Sequence, residues 1–329
     1  MIIEKVYTNT LPQDEILTFC KGLNIVNCEY SISHNPIIPM ILNKVFGYTP
    51  EYHIFYDETN NIIGYMPGVL VGNKFVSVPH FSYGGIASKD SSIIKEYECK
   101  IDRPYLIRSY NETSKYYDDN KVVAYLNIEN GEESIFPQLK YNIRRQIRIA
   151  TESGIVIKIG KEELLDDFLK VYRKNMFRLG SPPQPAKFFR ALLTNWENGE
   201  ATIVCSYLND GTPVGGNFLL SFGDIIENCW AGTLYEYNKL FVPYLNYSEM
   251  IKYSINKGYK IFSFGRSSKD SGTLKFKKHW NPQIIQIYYN TSSNHKRKIK
   301  INTIHELYKK IIPEDVNTIL GSVLTKYIY

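Results

Sequence analysis

The residues best suited to chemistry fall in one run, Phe264-Gly265-Arg266-Ser267-Ser268-Lys269-Asp270-Ser271-Gly272-Thr273-Leu274-Lys275-Phe276-Lys277-Lys278-His279-Trp280. Arg266, Lys269, Lys275, Lys277 and Lys278 stand against a single acid, Asp270. Small residues at 265, 267, 268, 271 and 272 permit tight turns and exposed N–H groups. Backbone donors and cationic side chains of this kind converge on phosphate oxygens in anion sites. The GxxxxGK[ST] phosphate loop is absent, so this is not a nucleotide-triphosphate cradle of that type. The plainer alternative is a solvated basic loop. Phe276 and Trp280 argue against it, because they would anchor the segment to the body of the protein.

A second basic feature is the helix expected over 139–152. Leu139, Ile143, Ile147 and Ala150 recur at helical spacing and give it a buried stripe. Arg144, Arg145 and Arg148 fall on the opposite side, with Lys140 one turn earlier. Arg144 and Arg148 are neighbours on the surface. This face suits either a phosphate-rich partner or plain solvation. Nucleophile patterns are weak: Gly-x-Ser-x-Gly is missing and no histidine spacing fits a metal. His279 alone makes no triad. His80, in the loop 79–85, has a structural role or a ligand contact. Cys229, between Asn228 and Trp230, reads as an inert buried thiol. No metal is expected.

The elements that must position these residues form a repeated pattern. Strands at 52–56, 62–71 and 75–78, joined by polar turns, follow a helix at 36–46 that stops at Gly47. Strands at 201–207, 214–221 and 225–231 repeat that meander after helices at 162–177 and 185–196. The pattern predicts a duplicated α/β unit. A helix at 243–257, with Pro243 in its first turn and Gly258 at its stop, leads to a strand at 259–264 ending at Gly265. The strand's end and the helix's start should lie close together, where open sheets place ligands. Further expectations are a helix at 91–99 and strands at 105–110, 122–128 and 282–289. The first 30 residues read as short strand-like pieces, and the segment 266–280 as a loop or short helix. Two helices near 302–310 and 314–326 close the chain.

Composition narrows the class. The chain has 329 residues, enough for two ordinary domains. Apolar residues make up 43 %, and 27 tyrosines and 16 phenylalanines fit β-rich segments. The formal charge of +6, from 39 Lys and Arg against 33 Asp and Glu, is too mild for a dedicated nucleic-acid binder but suits an anionic substrate. The five cysteines, Cys20, Cys28, Cys99, Cys205 and Cys229, show no CxxC pair and agree with a reducing compartment. Charge enters at Glu4 and Lys5, and no run is apolar enough to span a bilayer. A cytoplasmic location is the expectation.

Several motifs together resemble the FemAB-like and BioF2-like acyltransferases, which are similar in fold to the GNAT superfamily. They are Phe262-Ser263-Phe264-Gly265-Arg266-Ser267, Gly272-Thr273 and Phe276-Lys277-Lys278-x-Trp280, with the basic helix Asn142-Ile143-Arg144-Arg145-Gln146-Ile147-Arg148-x-Ala150 upstream. Tyr83-Gly84-Gly85, Leu179-Gly180-Ser181-Pro182 and Gly232-Thr233 match as well. The resemblance implies an α/β fold of tandem GNAT-like domains with mixed, mostly antiparallel sheets. It places an N-terminal domain at 1–140, joined by the segment 300–329, and a C-terminal domain with the active site at 141–299. Some members move an amino acid from aminoacyl-tRNA to a cell-wall precursor; others are tied to exopolysaccharide systems. The family's Phe-Lys pair falls on Phe276 and Lys277. There are departures. Ser263 stands where an acid is usual, Asn281 where a glycine is usual, and the GNAT pyrophosphate signature is absent near 233–243.

Acyl transfer needs a positioned carbonyl, stabilisation of charge on its oxygen, and a route for the nucleophile's proton. Lys277 is the candidate for the developing charge. Tyr235 and Asp270 are candidates for proton handling. Arg266, Ser267, Lys269, Gly272, Thr273 and Phe276 are the candidates for binding the donor, an acyl-CoA or aminoacyl-tRNA, with no tightly bound cofactor. The acceptor would be an amine or hydroxyl of a cell-wall or surface-polysaccharide precursor. Partners would include tRNA, or the inner membrane face through a lipid-linked acceptor. The alternative is a non-catalytic module that binds an anionic glycan or nucleic acid.

Overall fold

The computed structural model describes residues 2–8, 11–25, 29–293 and 313–326. The first half comprises β1 (Ile3–Tyr7), α1 (Gln13–Lys21), α2 (Ile38–Phe46), β2 (Thr49–Tyr56), β3 (Ile62–Val71), β4 (Lys74–Val76), α3 (Ser91–Tyr97), β5 (Tyr105–Ser109) and β6 (Tyr116–Asn127). The second comprises α4 (Tyr141–Glu152), β7 (Val156–Gly160), α5 (Leu165–Arg178), α6 (Ala186–Asn195), β8 (Ala201–Tyr207), β9 (Pro213–Phe222), β10 (Ile225–Thr233), α7 (Val242–Asn256), β11 (Ile261–Ser268), α8 (Gly272–Lys277) and β12 (Gln283–Thr291). A last helix, α9, spans Glu314–Leu324.

The strands form one 12-stranded mixed sheet in the order β1-β2-β3-β4-β5-β12-β6-β11-β10-β9-β8-β7. Among the described residues, only β4–β5 and β10–β11 pair in parallel. Read from its two edges inward, the sheet repeats itself: an edge strand, a three-strand meander, then a parallel strand. The duplication expected from the turn pattern is therefore the architecture. The sequence pattern does not show how the halves join. β6 pairs with β11 and β12 pairs with β5, so each half's last strand borders the other half's fifth strand. These ladders are non-local, which leaves no trace in local periodicity.

Local chemistry accounts for the element ends. α2 carries Pro39 in its first turn and stops at Gly47, whose φ of 73° is the left-handed conformation that glycine adopts without strain. α4 is followed by Gly154 at φ 75°. Its buried residues Ile143 and Ala150 lie on the expected stripe, and Arg144, Arg145 and Arg148 are exposed. α8 is capped by Ser271, whose hydroxyl accepts from the Leu274 N–H at 3.1 Å.

One apolar core runs across both halves. Phe46 of α2 meets Phe188 of α6 at 5.5 Å between ring centres, and Phe81 reaches Trp230 at 5.8 Å. A second core lies under α7 and holds Leu139, Ile143, Tyr247, Phe262, Phe264 and Trp280. This continuity fixes the first half's 79–85 loop against β10 and β11.

Three expectations change, and one is made definite. α1 forms where only strand-like pieces were foreseen, because Ile16 and Cys20, four apart, supply its buried contacts. β7 was not foreseen; it is a short edge strand whose side chains are mostly exposed. The strand expected to end at Gly265 continues to Ser268, because a bulge between Ser263 and Arg266 lets it resume pairing with β6. Of the segment 266–280, residues 272–277 are the short helix α8. The helix expected near 302–310 lies outside the described residues. Among those described, no helix is long and apolar enough to cross a membrane.

Candidate active site

β10 and β11 pair at only three positions, Ile225–Ile261, Ile226–Phe262 and Glu227–Ser263. Both strands then bulge, and they part. β10 stays with β9 to Thr233, and β11 stays with β6 to Ser268. Parallel strands that separate at their carboxyl ends leave main-chain groups facing a cleft, the usual place for ligands in open sheets.

Glu227 sits at the point of separation, 2 % exposed in a strand otherwise apolar up to it. Ser82 donates to its Oε1 at 2.8 Å and Ser263 to its Oε2 at 2.7 Å. Burial pushes its carboxyl above the usual range, against the pull of those hydroxyls and of Lys277 and Arg266. Glu227 was not foreseen from sequence. The signal was present, since an acid inside Ile225-Ile226-Glu227 must find partners if the strand is buried. Its partner Ser82 lies 145 residues away.

Lys277 lies beneath β11, 4 % exposed. Its ammonium donates to the Gly265 carbonyl at 2.9 Å and the Arg266 carbonyl at 3.1 Å. Burial lowers its pKa to about 7, which Glu227 resists and Arg266 assists. The bulge makes those carbonyls available. Gly265 has φ 68°, and a Cβ there would come within 2.9 Å of the Asn228 carbonyl, so glycine is required on both counts. Arg266 donates to the Phe81 carbonyl and the Tyr289 hydroxyl, tying the second half to the first.

α7 forms the far wall. Tyr247 stacks on Phe264 at 5.3 Å, which confirms that the helix's first turns lie beside the strand's end. Its hydroxyl accepts from Asn228 at 3.1 Å, while the Asn228 Oδ1 is buried with no partner among the described residues. Burial pushes the Tyr247 phenol up to about 12, and raises the Cys229 thiol well above its ordinary range.

The remaining sequence candidates are dispersed. Arg266, Ser267 and Thr273 line one hollow at the end of β11. Gly272 is exposed beside them at the start of α8. Phe276 packs on Tyr244 and Tyr247, at 4.9 and 5.2 Å. Lys269 is paired with Asp119 at 2.8 Å, and Asp270 is exposed in the turn before α8. Tyr235 is 64 % exposed and lines a different hollow, with Lys174, Asn175 and Arg178. His80 is half-buried, with Nδ1 at 3.0 Å from Gln184 and its ring against Phe46.

Known proteins share this fold. A family model, the acetyltransferase (GNAT) domain, matches residues 137–278. That range holds β10, α7, β11 and nearly all of the site. FemX superposes with a TM-score of 0.60 at 13 % identity, over 87 % of this chain and 97 % of its own. L-PGS from Bacillus licheniformis superposes at 0.54 and 11 % identity, over 93 % and 98 %. The tandem GNAT protein from the clavulanic acid biosynthesis pathway does so at 0.51 and 7 %, over 87 % and 97 %. No curated protein matches the chain significantly in sequence. Residues 137–278 thus match a GNAT acetyltransferase domain, and the chain that carries them is an acyltransferase with a tandem fold similar to that of FemX.

Proposed function

We propose that this protein moves an acyl or aminoacyl group from an acyl-CoA or aminoacyl-tRNA to an amine or hydroxyl of a cell-wall or surface-polysaccharide precursor. The reading rests on one observation above others: Glu227 and Lys277 are both buried where β10 and β11 part. An ammonium has three donors, and two of those of Lys277 are taken by carbonyls. The third is the one to meet charge developing on the carbonyl oxygen of a donor held in the cleft. Such a donor in a dry, fixed site is worth far more than in water.

Glu227 would take the nucleophile's proton. Its raised pKa suits that task better than an ordinary carboxylate's, because a more basic carboxylate takes up a proton more readily. No covalent enzyme intermediate is needed. The nucleophile attacks the activated carbonyl, the thiol or ribose hydroxyl of the donor leaves with a proton, and the acyl group ends on the acceptor. The acceptor class and the aminoacyl-tRNA option come from the family resemblance.

The test has two stages. Native mass spectrometry against acetyl-CoA, longer acyl-CoAs and charged tRNA identifies which donor binds. Transfer of a labelled acyl group from that donor to amine- or hydroxyl-bearing envelope precursors then measures turnover. Donor binding with label transfer is the expected result. Binding of an anionic glycan or nucleic acid with no transfer from any donor would sink the proposal.

A further inference from the structure

A second polar hollow lies at the end of β11, apart from the Glu227–Lys277 pair. It encloses about 240 Å³ and is lined by Lys121, Arg266, Ser267, Ser268, Ser271 and Thr273. The lining holds two cations and four hydroxyls, and no carboxylate. Lys121 comes from β6 of the first half, so both halves build the hollow.

The cations there have only neutral oxygen partners among the described residues. Lys121 donates to the Ser268 hydroxyl at 2.6 Å, and Arg266 to the Phe81 carbonyl and the Tyr289 hydroxyl. The nearby acid Asp119 is already engaged by Lys269. Ser267 is only 6 % exposed, and its hydroxyl is buried with no partner among the described residues. Two half-buried cations beside an unused buried hydroxyl, in a lining with no carboxylate, present the donors that an anion's oxygens accept. α8 is too short to attract an anion by its dipole, and the Ser271 hydroxyl is occupied in capping it. Lys121, Arg266, Ser267 and Thr273 are left as the recognising groups.

We infer that this hollow binds a phosphoryl group, as a phosphate ester or pyrophosphate, and that Lys121 completes the site from the opposite half. The inference builds on the reading of β11 and α8 as part of the substrate site. Phosphate oxygens accept several charge-assisted bonds from a mixed set of cations and hydroxyls. Two sources carry that chemistry: the phosphates of a CoA-type donor, and a pyrophosphate on the acceptor.

Calorimetry on the full chain with inorganic pyrophosphate tests the site without turnover. Pyrophosphate should bind the parent protein, and Lys121→Met should weaken it about tenfold. Lys121→Arg should retain binding, and Thr273→Ala, an exposed position that leaves the fold untouched, should weaken it too. Absence of binding to the parent, or equal affinity in the parent, Lys121→Met and Thr273→Ala, overturns the inference. CoA separates the sources. A parallel loss of CoA affinity in Lys121→Met supports a donor phosphate, and unchanged CoA affinity beside weakened pyrophosphate supports an acceptor pyrophosphate. A chain that binds pyrophosphate as expected yet transfers no acyl group overturns the proposed function and leaves this site standing.

Discussion

The two halves carry the same pair of parallel strands and treat the gap between them in opposite ways. In the second half, pairing stops at Glu227–Ser263 and the strands separate. In the first half, β4 and β5 also pair briefly, at Phe75–Tyr105 and Val76–Leu106, but the chain beyond β4 remains stitched to β5. Ser77 N–H donates to the Leu106 carbonyl at 3.0 Å, Arg108 N–H to the Ser77 hydroxyl at 2.9 Å, and Gly84 N–H to the Arg108 carbonyl at 2.9 Å. The Arg108 side chain, 1 % exposed, then crosses the gap to the Ser77 and Val78 carbonyls at 2.8 and 3.3 Å. A duplicated unit thus lets one pair of strands part around Glu227 and stitches the other pair together with its own loop. That loop also delivers Ser82 to Glu227, so the sealed half serves the open one as a positioning element.

The sharpest test of that division is to remove the cation from each gap. Lys277→Met should cut kcat/KM for transfer by about 10²-fold or more, since a donor to developing charge is lost. Arg108→Met should act on stability instead. It removes the guanidinium's bonds to the Ser77 and Val78 carbonyls and leaves Val78 only its bond from the Phe81 N–H, costing about 2 kcal/mol in urea melts, with kcat per folded molecule little changed. Equal loss of transfer in both variants, at matched folding, would erase the distinction between the gaps. Next in size is Gly265→Ala, which forces a left-handed φ on alanine and a 2.9 Å approach to the Asn228 carbonyl. It should cost about 2 kcal/mol and move the carbonyl that holds Lys277, so stability and transfer fall together. A melt unchanged from the parent would show that the bulge is not under the constraint described.

Sequence and structure agree where the signal is local. Turn residues at 57–61, 209–211 and 222–224 mark both meanders, and Pro243 with Gly258 frames α7. Lys277 and Arg266 were legible as site candidates because so many cations follow a strand end. What escaped was long-range. The exchange of β6 and β12 depends on pairing between segments more than a hundred residues apart, and nothing in either strand's own pattern encodes its neighbour. The segment 266–280 was legible only as a loop or short helix, and nothing in it showed that α8 turns Lys277 inward to the β11 carbonyls. Glu227 was overlooked because a lone acid in a strand has no motif. The departure at Ser263, where the family usually has an acid, gains meaning only in three dimensions. Ser263 donates to Glu227, so a carboxylate still occupies the place where the strands part.

A smaller effect should separate the halves by pH. Burial lowers His34 to about 4 and His80 to about 3, from an ordinary value of 6.5. Between those values the unfolded chain binds protons that the folded chain refuses. Stability should therefore fall as pH drops from about 6.5 toward 4. Glu227 has the opposite sign: its raised pKa means the folded chain keeps a proton that the unfolded chain releases, so its contribution is greatest in acid and fades as pH rises. His80→Asn removes one titrating group while tolerating the φ of 74° that His80 adopts. Its urea midpoint should decline less between pH 6.5 and 4 than the parent's. An identical slope would mean that His80 titrates normally in the folded protein and is not sealed in the junction.

The smallest effect expected is also the one most opposed to the sequence reading. Tyr235 was a candidate for moving a proton, and it lies on the turn after β10, beyond the point where the strands part. Its ring rests over Arg178 at 5.4 Å, in a hollow shared with Lys174 and Asn175, and none of the groups bonded to Glu227 or Lys277 lines that hollow. A general acid or base must come within hydrogen-bond reach of the proton it handles, and its loss typically costs 10²-fold or more. Tyr235→Phe deletes the hydroxyl and keeps the ring on Arg178. If the chemistry belongs to the Glu227–Lys277 gap, kcat should stay within about twofold of the parent, and any change should appear in KM for the acceptor. A 10²-fold fall in kcat at unchanged KM would instead mean that the end of β10 swings toward Lys277 when substrates bind. The open gap would then be completed by its own β10 turn, as the closed gap is completed by the loop after β4.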